Sequence, residues 1–327
     1  MHMDRQSKMK DVHLHFTGSL SPDYAYNLLK LRNPDFINKY SIQSATDLSA
    51  ALRGMFTNDY KLNQKIFNDV YSLIQSATKP ADYKETYNTY KSASYQLSLN
   101  LLKFGISDYT IIAGPDIDID KTYARYLGMI HGFEEIEKLY KNTSGKICIT
   151  FIRNNNGVLK NYSYNTLKDI CALLKQAPFK SRCIGFDISG YEYPDEKIFN
   201  SNLNILSEIL ETTKKHGLSA SVGLHAGETI TGTQQDCLYD DYFIKLSKLK
   251  LDNIGHGTYL WMSPKHQKIL KLFANTTRFD ICPESNELLT PAKNVYSCFD
   301  NLKKCRIEFT LNRDDPLIFN NWQTYQR

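Results

Sequence analysis

Near the start of the chain, Asp-Val-His-Leu-His-Phe-Thr-Gly-Ser-Leu places His13 and His15 two residues apart. On a β-strand, side chains two apart point to the same side. Two imidazoles on one face at a strand end make half of a metal site. An isolated pair of this kind is more often two ordinary polar strand residues. Here three later segments each end an apolar run with groups that would complete the site: His225-Ala-Gly-Glu228, Gly255-His256-Gly257 and Asp314-Asp315-Pro316. His13, His15, His225 and Asp314 form a three-histidine, one-carboxylate set that suits a borderline-soft divalent cation, Zn2+, one per chain. Such an ion can also hold a water, whose pKa falls to about 7. Glu228 can reach the same cavity and carry a proton to a leaving group. His256, between two glycines that let the backbone turn sharply, can orient the attacking oxygen, and Asp315 offers a second carboxylate pointing away from the metal. Taken singly, Glu228 could cap a helix, His256 could be a satisfied buried histidine, and Asp315-Pro316 could be a turn. Their joint occurrence at matching strand ends is what argues for a site.

Residues this far apart need a scaffold that gathers them. Asp11–Thr17 reads as a first strand, followed by a long helical stretch over Tyr24–Leu31, Thr46–Met55, Tyr60–Ala77 and Asp82–Phe104, where apolar residues recur at three- and four-residue spacing. Further strands are expected at Asp108–Ala113, Lys146–Arg153, Cys183–Ile188, Ser219–Leu224, Asn253–Ile254, Arg278–Cys282 and Ile307–Leu311. Helices are expected between them at Lys121–Asn142, Tyr164–Gln176, Asn202–His216, Tyr239–Leu249, Pro264–Ala274 and Val295–Lys304. Strand–helix alternation alone also allows a doubly wound sheet. Ligands drawn from the first, fifth and eighth strands decide for closure, because closure brings the eighth strand beside the first. The expectation is an α/β protein, a (β/α)8 TIM barrel forming a single domain over 1–327, with extra N-terminal helices between strands 1 and 2 and a short C-terminus.

Composition bounds the function classes. The chain has 327 residues, enough for one such barrel. Its net charge of +5 carries no dense Lys/Arg stripe, so polymeric nucleic acid is not an expected partner, while small anionic substrates are compatible. The seven cysteines are scattered and form no Cys-x-x-Cys pair, against a disulfide framework or a zinc ribbon. No run reaches the roughly 18 apolar residues of a membrane span, and the first residues lack the apolar core of a secretory signal. A cytoplasmic protein without membrane contact is expected.

The motifs together resemble the adenosine/AMP deaminase branch of the amidohydrolase superfamily. His13–Leu20 resembles its first metal motif, Gly185–Glu192 (GFDISGYE) its fourth-strand motif, and His225-Ala-Gly-Glu and Ile-Gly-His-Gly stand intact. Cys282–Leu289 (CPESNELL) resembles the seventh-strand segment and Asp314–Phe319 (DDPLIF) the eighth. The resemblance runs from about Asp11 to Phe319. It implies hydrolytic deamination of an adenine nucleoside or nucleotide: attack at C6 of the ring, protonation of N1 by Glu228, help to the attacking oxygen from His256, and a bond from Asp315 on the N7 side. It further implies a backbone contact to the ring at Gly190 and support from Ser285 and Asn286 in the substrate pocket.

The sequence departs from the family pattern in places that bear on the substrate. Thr17 stands where members acting on free nucleosides usually carry a carboxylate for the ribose 5′-hydroxyl. Like charges about 4 Å apart repel by roughly 4 kcal/mol at an effective dielectric near 20. Removing that carboxylate therefore favours a 5′-phosphorylated substrate such as AMP or dAMP, by roughly two or three orders of magnitude. Arg313 and Lys293 follow strands whose loops often hold phosphate in barrels, although a strand neighbour of Asp314 should face the helix layer. Asn253 replaces a common arginine, so a supporting ion pair is expected to be missing, and Thr229–Asp252 is long enough to serve as a lid or contact surface. The short C-terminus leaves the eighth strand in need of cover, expected from a homo-oligomer, a partner protein or the N-terminal helices. The competing readings are a deaminase of free adenosine or deoxyadenosine, and a catalytically weak metal-binding subunit of a larger complex, for instance in antiviral defence.

Overall fold

The computed structural model describes residues 9–228, 236–292 and 294–323. Eight parallel strands run in sequential order, β1 (Met9–His15), β2 (Ile106–Ala113), β3 (Ser144–Arg153), β4 (Cys183–Gly190), β5 (Ser221–Ala226), β6 (Asn253–His256), β7 (Arg278–Ile281) and β8 (Phe309–Leu311). Each neighbouring pair is hydrogen-bonded, and β8 returns to β1 through a bridge between Leu14 and Asp314. The TIM barrel expected from the sequence is the fold observed.

Between β1 and β2 lie α1 (Pro22–Arg32), α2 (Pro34–Lys39), α3 (Ala45–Gly54), α4 (Tyr60–Ala77) and α5 (Tyr83–Lys103). Side-chain caps explain several starts: Ser21, Ser44, Asp59 and Asp82 each accept a backbone N–H of the first turn of α1, α3, α4 and α5. Then come α6 (Ile119–Leu139), α7 (Tyr164–Leu173), α8 (Phe179–Arg182), α9 (Glu196–Lys215), α10 (Asp236–Leu249), α11 (Thr258–Trp261), α12 (Gln267–Leu270), α13 (Pro283–Leu289), α14 (Phe299–Lys304) and α15 (Pro316–Phe319). Tyr109, Phe133, Phe151, Phe186 and Phe279 are fully buried in the core.

Two local readings change. His225 and His256 lie on their strands, the expected ends being two residues early in each case. Pro283–Leu289, where no helix was expected, is helix α13, with Pro283 in its first turn and Cys282 before it rather than on β7. Of the three covers expected for the eighth strand, the N-terminal helices are the one observed. Phe319 of α15 stacks on Phe67 of α4, ring centres 5.6 Å apart, and meets Phe56 at 5.8 Å. Trp322 stacks on Phe104 at 6.0 Å. Within the described residues, α3, α4 and α5 and the residues beside them thus pack on the segment that follows β8. Lys293 and the first part of the 229–252 segment lie outside the described residues.

Candidate active site

The strands deliver the predicted groups to one mouth of the barrel. On β1, His13 and His15 share a face, and the β1–β8 seam is stitched around them: the His15 N–H donates to the Asp314 carbonyl (3.0 Å) and the Asp314 N–H to the His13 carbonyl (3.1 Å). Two glycines leave room for this crowding. A Cβ on Gly18 would collide with the Asp315 carboxyl, and one on Gly255 would lie 2.8 Å from the His13 ring and 3.2 Å from that of His225. His256 and Asp314 both hold positive φ, 60° and 65°, a region non-glycine residues avoid and functional sites often retain.

His15 Nε2 lies 3.0 Å from His225 Nε2 and 3.3 Å from Asp314 Oδ1, and His13 Nε2 lies 3.7 Å from the same oxygen. His13 Nε2 and Asp314 Oδ1 are buried without a hydrogen-bond partner. Buried polar atoms are rarely left so, and a cation among them would satisfy both. The donor set fits a divalent metal such as zinc. Burial, together with the neighbouring histidines, pushes the His13 and His225 pKa values well below the ordinary range, and burial takes His15 to about 4. The imidazoles are therefore neutral, the form that coordinates. His225 Nδ1 faces Asp187 Oδ2 at 2.9 Å, and that oxygen accepts the Thr150 hydroxyl at 2.9 Å. A carboxylate behind a ligating histidine fixes its ring and raises its basicity.

Glu228 Oε2 stands 3.7 Å from His256 Nε2. Burial raises the Glu228 pKa to about 7 against the opposing charge of Arg153. The Asn286 amide nitrogen lies 3.1 Å from His256 Nδ1. An amide N–H can only donate, so this contact places the ring proton on Nε2, facing Glu228 and Asp314. Asp315 is buried beside the Asp314 and Glu228 carboxyls, and its pKa rises far above the carboxylate range through burial first and those charges second. The protonated form is thereby favoured, and in that form Asp315 can donate a hydrogen bond.

A cavity of about 820 Å³ is lined in part by His15, Thr17, Gly190, His225, Glu228, His256, Asp314 and Asp315, while His13 lies behind its wall. Ser285 and Asn286 do not line it. They sit behind it, Asn286 on His256 and the Ser285 hydroxyl beside Asp314. Arg313 is turned away altogether: it is buried, with Nη1 donating to Asp11 Oδ2 at 2.9 Å and Nε to the Trp322 carbonyl at 3.3 Å. That placement corrects the expected phosphate contact: past the end of β8 the chain turns Asp314 into the site and seats Arg313 on Asp11. The supporting ion pair thought missing at Asn253 is supplied from the next strand. Arg278 forks onto Asp280 (2.6 and 3.1 Å), and Asn253 Nδ2 donates to the same carboxylate at 2.9 Å.

Sequence reasoning missed Asp187, although it lies inside the fourth-strand motif, and Arg153, which ends β3 and is 3% exposed. A lone arginine at a strand end gives no spacing signal.

The adenosine deaminase family model matches residues 146–325, more than half of the chain. The chain belongs to the adenosine deaminase family. No curated protein matches it by sequence. Among solved structures, it resembles the Arabidopsis N6-mAMP deaminase (15% identity, TM-score 0.62, covering 96% of this chain and 83% of that one). It also resembles Arabidopsis ADAL complexed with IMP (14%, TM-score 0.65, 96% and 82%). A third is a zinc-bound amidohydrolase from Burkholderia ambifaria (12%, TM-score 0.63, 95% and 76%). At these identities the likeness shows the fold. Members of the adenosine deaminase family are metal-dependent purine deaminases, and this protein is an enzyme of that class. Among its described residues no helix is long and apolar enough to cross a membrane.

Proposed function

We propose that this deaminase converts a 5′-phosphorylated adenine nucleotide, AMP or dAMP, to its hypoxanthine counterpart and ammonia, with one Zn2+ held by His13, His15, His225 and Asp314. The convergence of the orphaned His13 Nε2 and Asp314 Oδ1 with the other two ligands, at the base of the cavity that Glu228 lines, carries the reading. The ion supplies Lewis acidity that makes a water nucleophilic at neutral pH. Glu228, with its pKa near 7, takes a proton from the water and delivers it to N1 as C6 is attacked. The His256 Nε2 proton stabilises charge on the attacking oxygen. Asp315, protonated, donates to N7, a pure acceptor, and the Gly190 backbone meets the far side of the ring.

Thr17 favours the phosphate, since no carboxylate there repels it. The cavity's cations point the same way. Exposed Lys79 and half-buried Lys121 and Arg125 line it. They replace Arg313 as the groups that would hold phosphate. Arg125 bonds Asp116 at 3.2 Å and the Gly114 carbonyl, which holds the guanidinium in place. The monophosphate chemistry of the N6-mAMP deaminase and the IMP complex supports this reading. The unpaired thiols of all seven cysteines suit a reducing compartment, and we place the enzyme in the cytoplasm.

The test is hypoxanthine formation, followed by ultraviolet absorbance, over adenosine, deoxyadenosine, their 5′-mono- and triphosphates and N6-methyl-AMP. A monophosphate should lead in kcat/KM, by about two orders of magnitude if one charge repulsion decides it. Adenosine leading would give the free-nucleoside reading instead. Chelation should abolish turnover and Zn2+ restore it. A chain that binds no metal and releases no ammonia would be the structural subunit of a complex.

A further inference from the structure

The ladder between β4 and β5 is short. Its register pairs are Gly185 with Ser221 and Phe186 with Val222, yet β4 continues to Gly190 and β5 to Ala226. Beyond that point, where the site's groups stand, side chains hold the two strands together. The guanidinium of Arg153 is the principal link. Its Nε donates to the Ser189 carbonyl (3.3 Å), and its Nη2 to the carbonyls of both Gly190 (2.9 Å) and His225 (2.8 Å). Its Nη1 is buried with no partner, and the residue lines the main cavity. Glu192 stands beside it. The Glu192 Oε2 accepts the Gly227 N–H at 2.8 Å, and its Oε1 is also buried and unpartnered.

We propose that Arg153 is the positioning residue of this active site. By gripping carbonyls on either side of the open seam, it fixes the distance between the ring-facing peptide at Gly190 and the segment that carries His225 and Glu228. The proposal rests on the deaminase reading above. A planar guanidinium suits this task because its donors diverge at fixed angles, so one group can serve carbonyls on two strands. A lysine keeps the charge and loses that fork. The unpaired Nη1–H leaves a donor for an acceptor that enters the cavity with the substrate. Gly190 and Glu228 would meet opposite sides of the same ring, so a shift of about 1 Å between them should lower the rate about 10²-fold while leaving the rest of the binding surface intact.

The experiment compares Arg153→Lys and Arg153→Ala with the wild type on whichever 6-aminopurine the wild type turns over best. Metal content and melting temperature are measured on each protein. The expected result for Arg153→Lys is a kcat reduced about 30- to 100-fold with KM within threefold, at full metal content. Arg153→Ala should recover at least tenfold in kcat with millimolar guanidinium ion and not with methylammonium at the same concentration. Arg153→Lys within twofold of the wild type in kcat overturns the proposal. So does equal rescue by the two cations, because charge alone would then suffice. Loss of metal or of folding in Arg153→Lys overturns it in favour of a purely structural role. A wild type inert towards every 6-aminopurine overturns the deaminase reading and this one with it. An active wild type with an equally active Arg153→Lys overturns this one alone.

Discussion

Two seams of the barrel carry the active site, and each is closed by an arginine where the strand ladder gives out. At the β8–β1 seam, Arg313 is paired with Asp11, and Asn312 Oδ1 accepts the Val12 N–H at 3.0 Å. At the β4–β5 seam, Arg153 grips three carbonyls and keeps one nitrogen without a partner. Both side chains are buried, at 4% and 3% exposure. They differ in what faces them. Arg313 meets a carboxylate away from the cavity, whereas Arg153 meets neutral carbonyls at its wall, with the Glu228 and Glu192 carboxyls within range of its charge. One residue type thus serves as a closed structural pair at one seam and as an open, substrate-side device at the other. Burial alone does not tell the two apart.

The largest effect should come from the group the β4–β5 seam holds in place. Glu228→Gln keeps the shape and removes the proton carrier, so kcat should fall by about 10²–10⁴-fold. Metal content and melting temperature should stay at wild-type values. Turnover within tenfold of the wild type would move the proton transfer to another group, and the β4–β5 seam would lose its claim to be the catalytic one.

Changing the other seam should move stability and spare chemistry. Arg313→Met strands the Asp11 carboxylate in the core, and removing one partner of a buried pair costs about 3–5 kcal/mol. Burial raises the Asp11 pKa to about 6 even with the arginine present. Without it the value climbs further, and the carboxyl escapes part of the penalty by protonating. The loss in urea unfolding free energy should therefore be smaller at pH 5 than at pH 8. KM for a nucleotide should not move in molecules that remain folded. A raised KM at unchanged stability would return Arg313 to the phosphate site and erase the distinction between the seams.

The same contrast marks how far the sequence could be read. The four motifs were legible because each packs its chemistry into a few adjacent residues at a strand end: His13 and His15, His225 with Glu228, Gly255-His256-Gly257, Asp314 with Asp315. The barrel followed from where those motifs fall in the strand order. Arg153, Asp187 and Asn286 act through partners on other strands, 72 residues away for Arg153 and His225 and 30 for Asn286 and His256. Nothing local announces such a pairing. The cations that line the cavity, Lys79, Lys121 and Arg125, come from the α4–α5 connection and from α6, where no motif marks them. The inner wall of the site is written in motifs. The outer wall is written only in packing.

The smallest effect concerns the second carboxyl at the β4–β5 seam. Burial lifts the Glu192 pKa to about 7 from an ordinary 4.5, against the charge of Arg153 and the Gly227 N–H. Between those values the folded chain binds a proton that the unfolded chain has released. Its contribution to stability is thus fully present below about pH 4.5 and is lost as the pH rises through 7. Glu192→Gln retains an acceptor for the Gly227 N–H and cannot ionise. The variant should match the wild type near pH 5 and exceed it in unfolding free energy at pH 8. A wild type already equal to it at pH 8 would mean that Arg153 neutralises Glu192 fully. The β4–β5 arginine would then be a closed pair like its counterpart across the barrel.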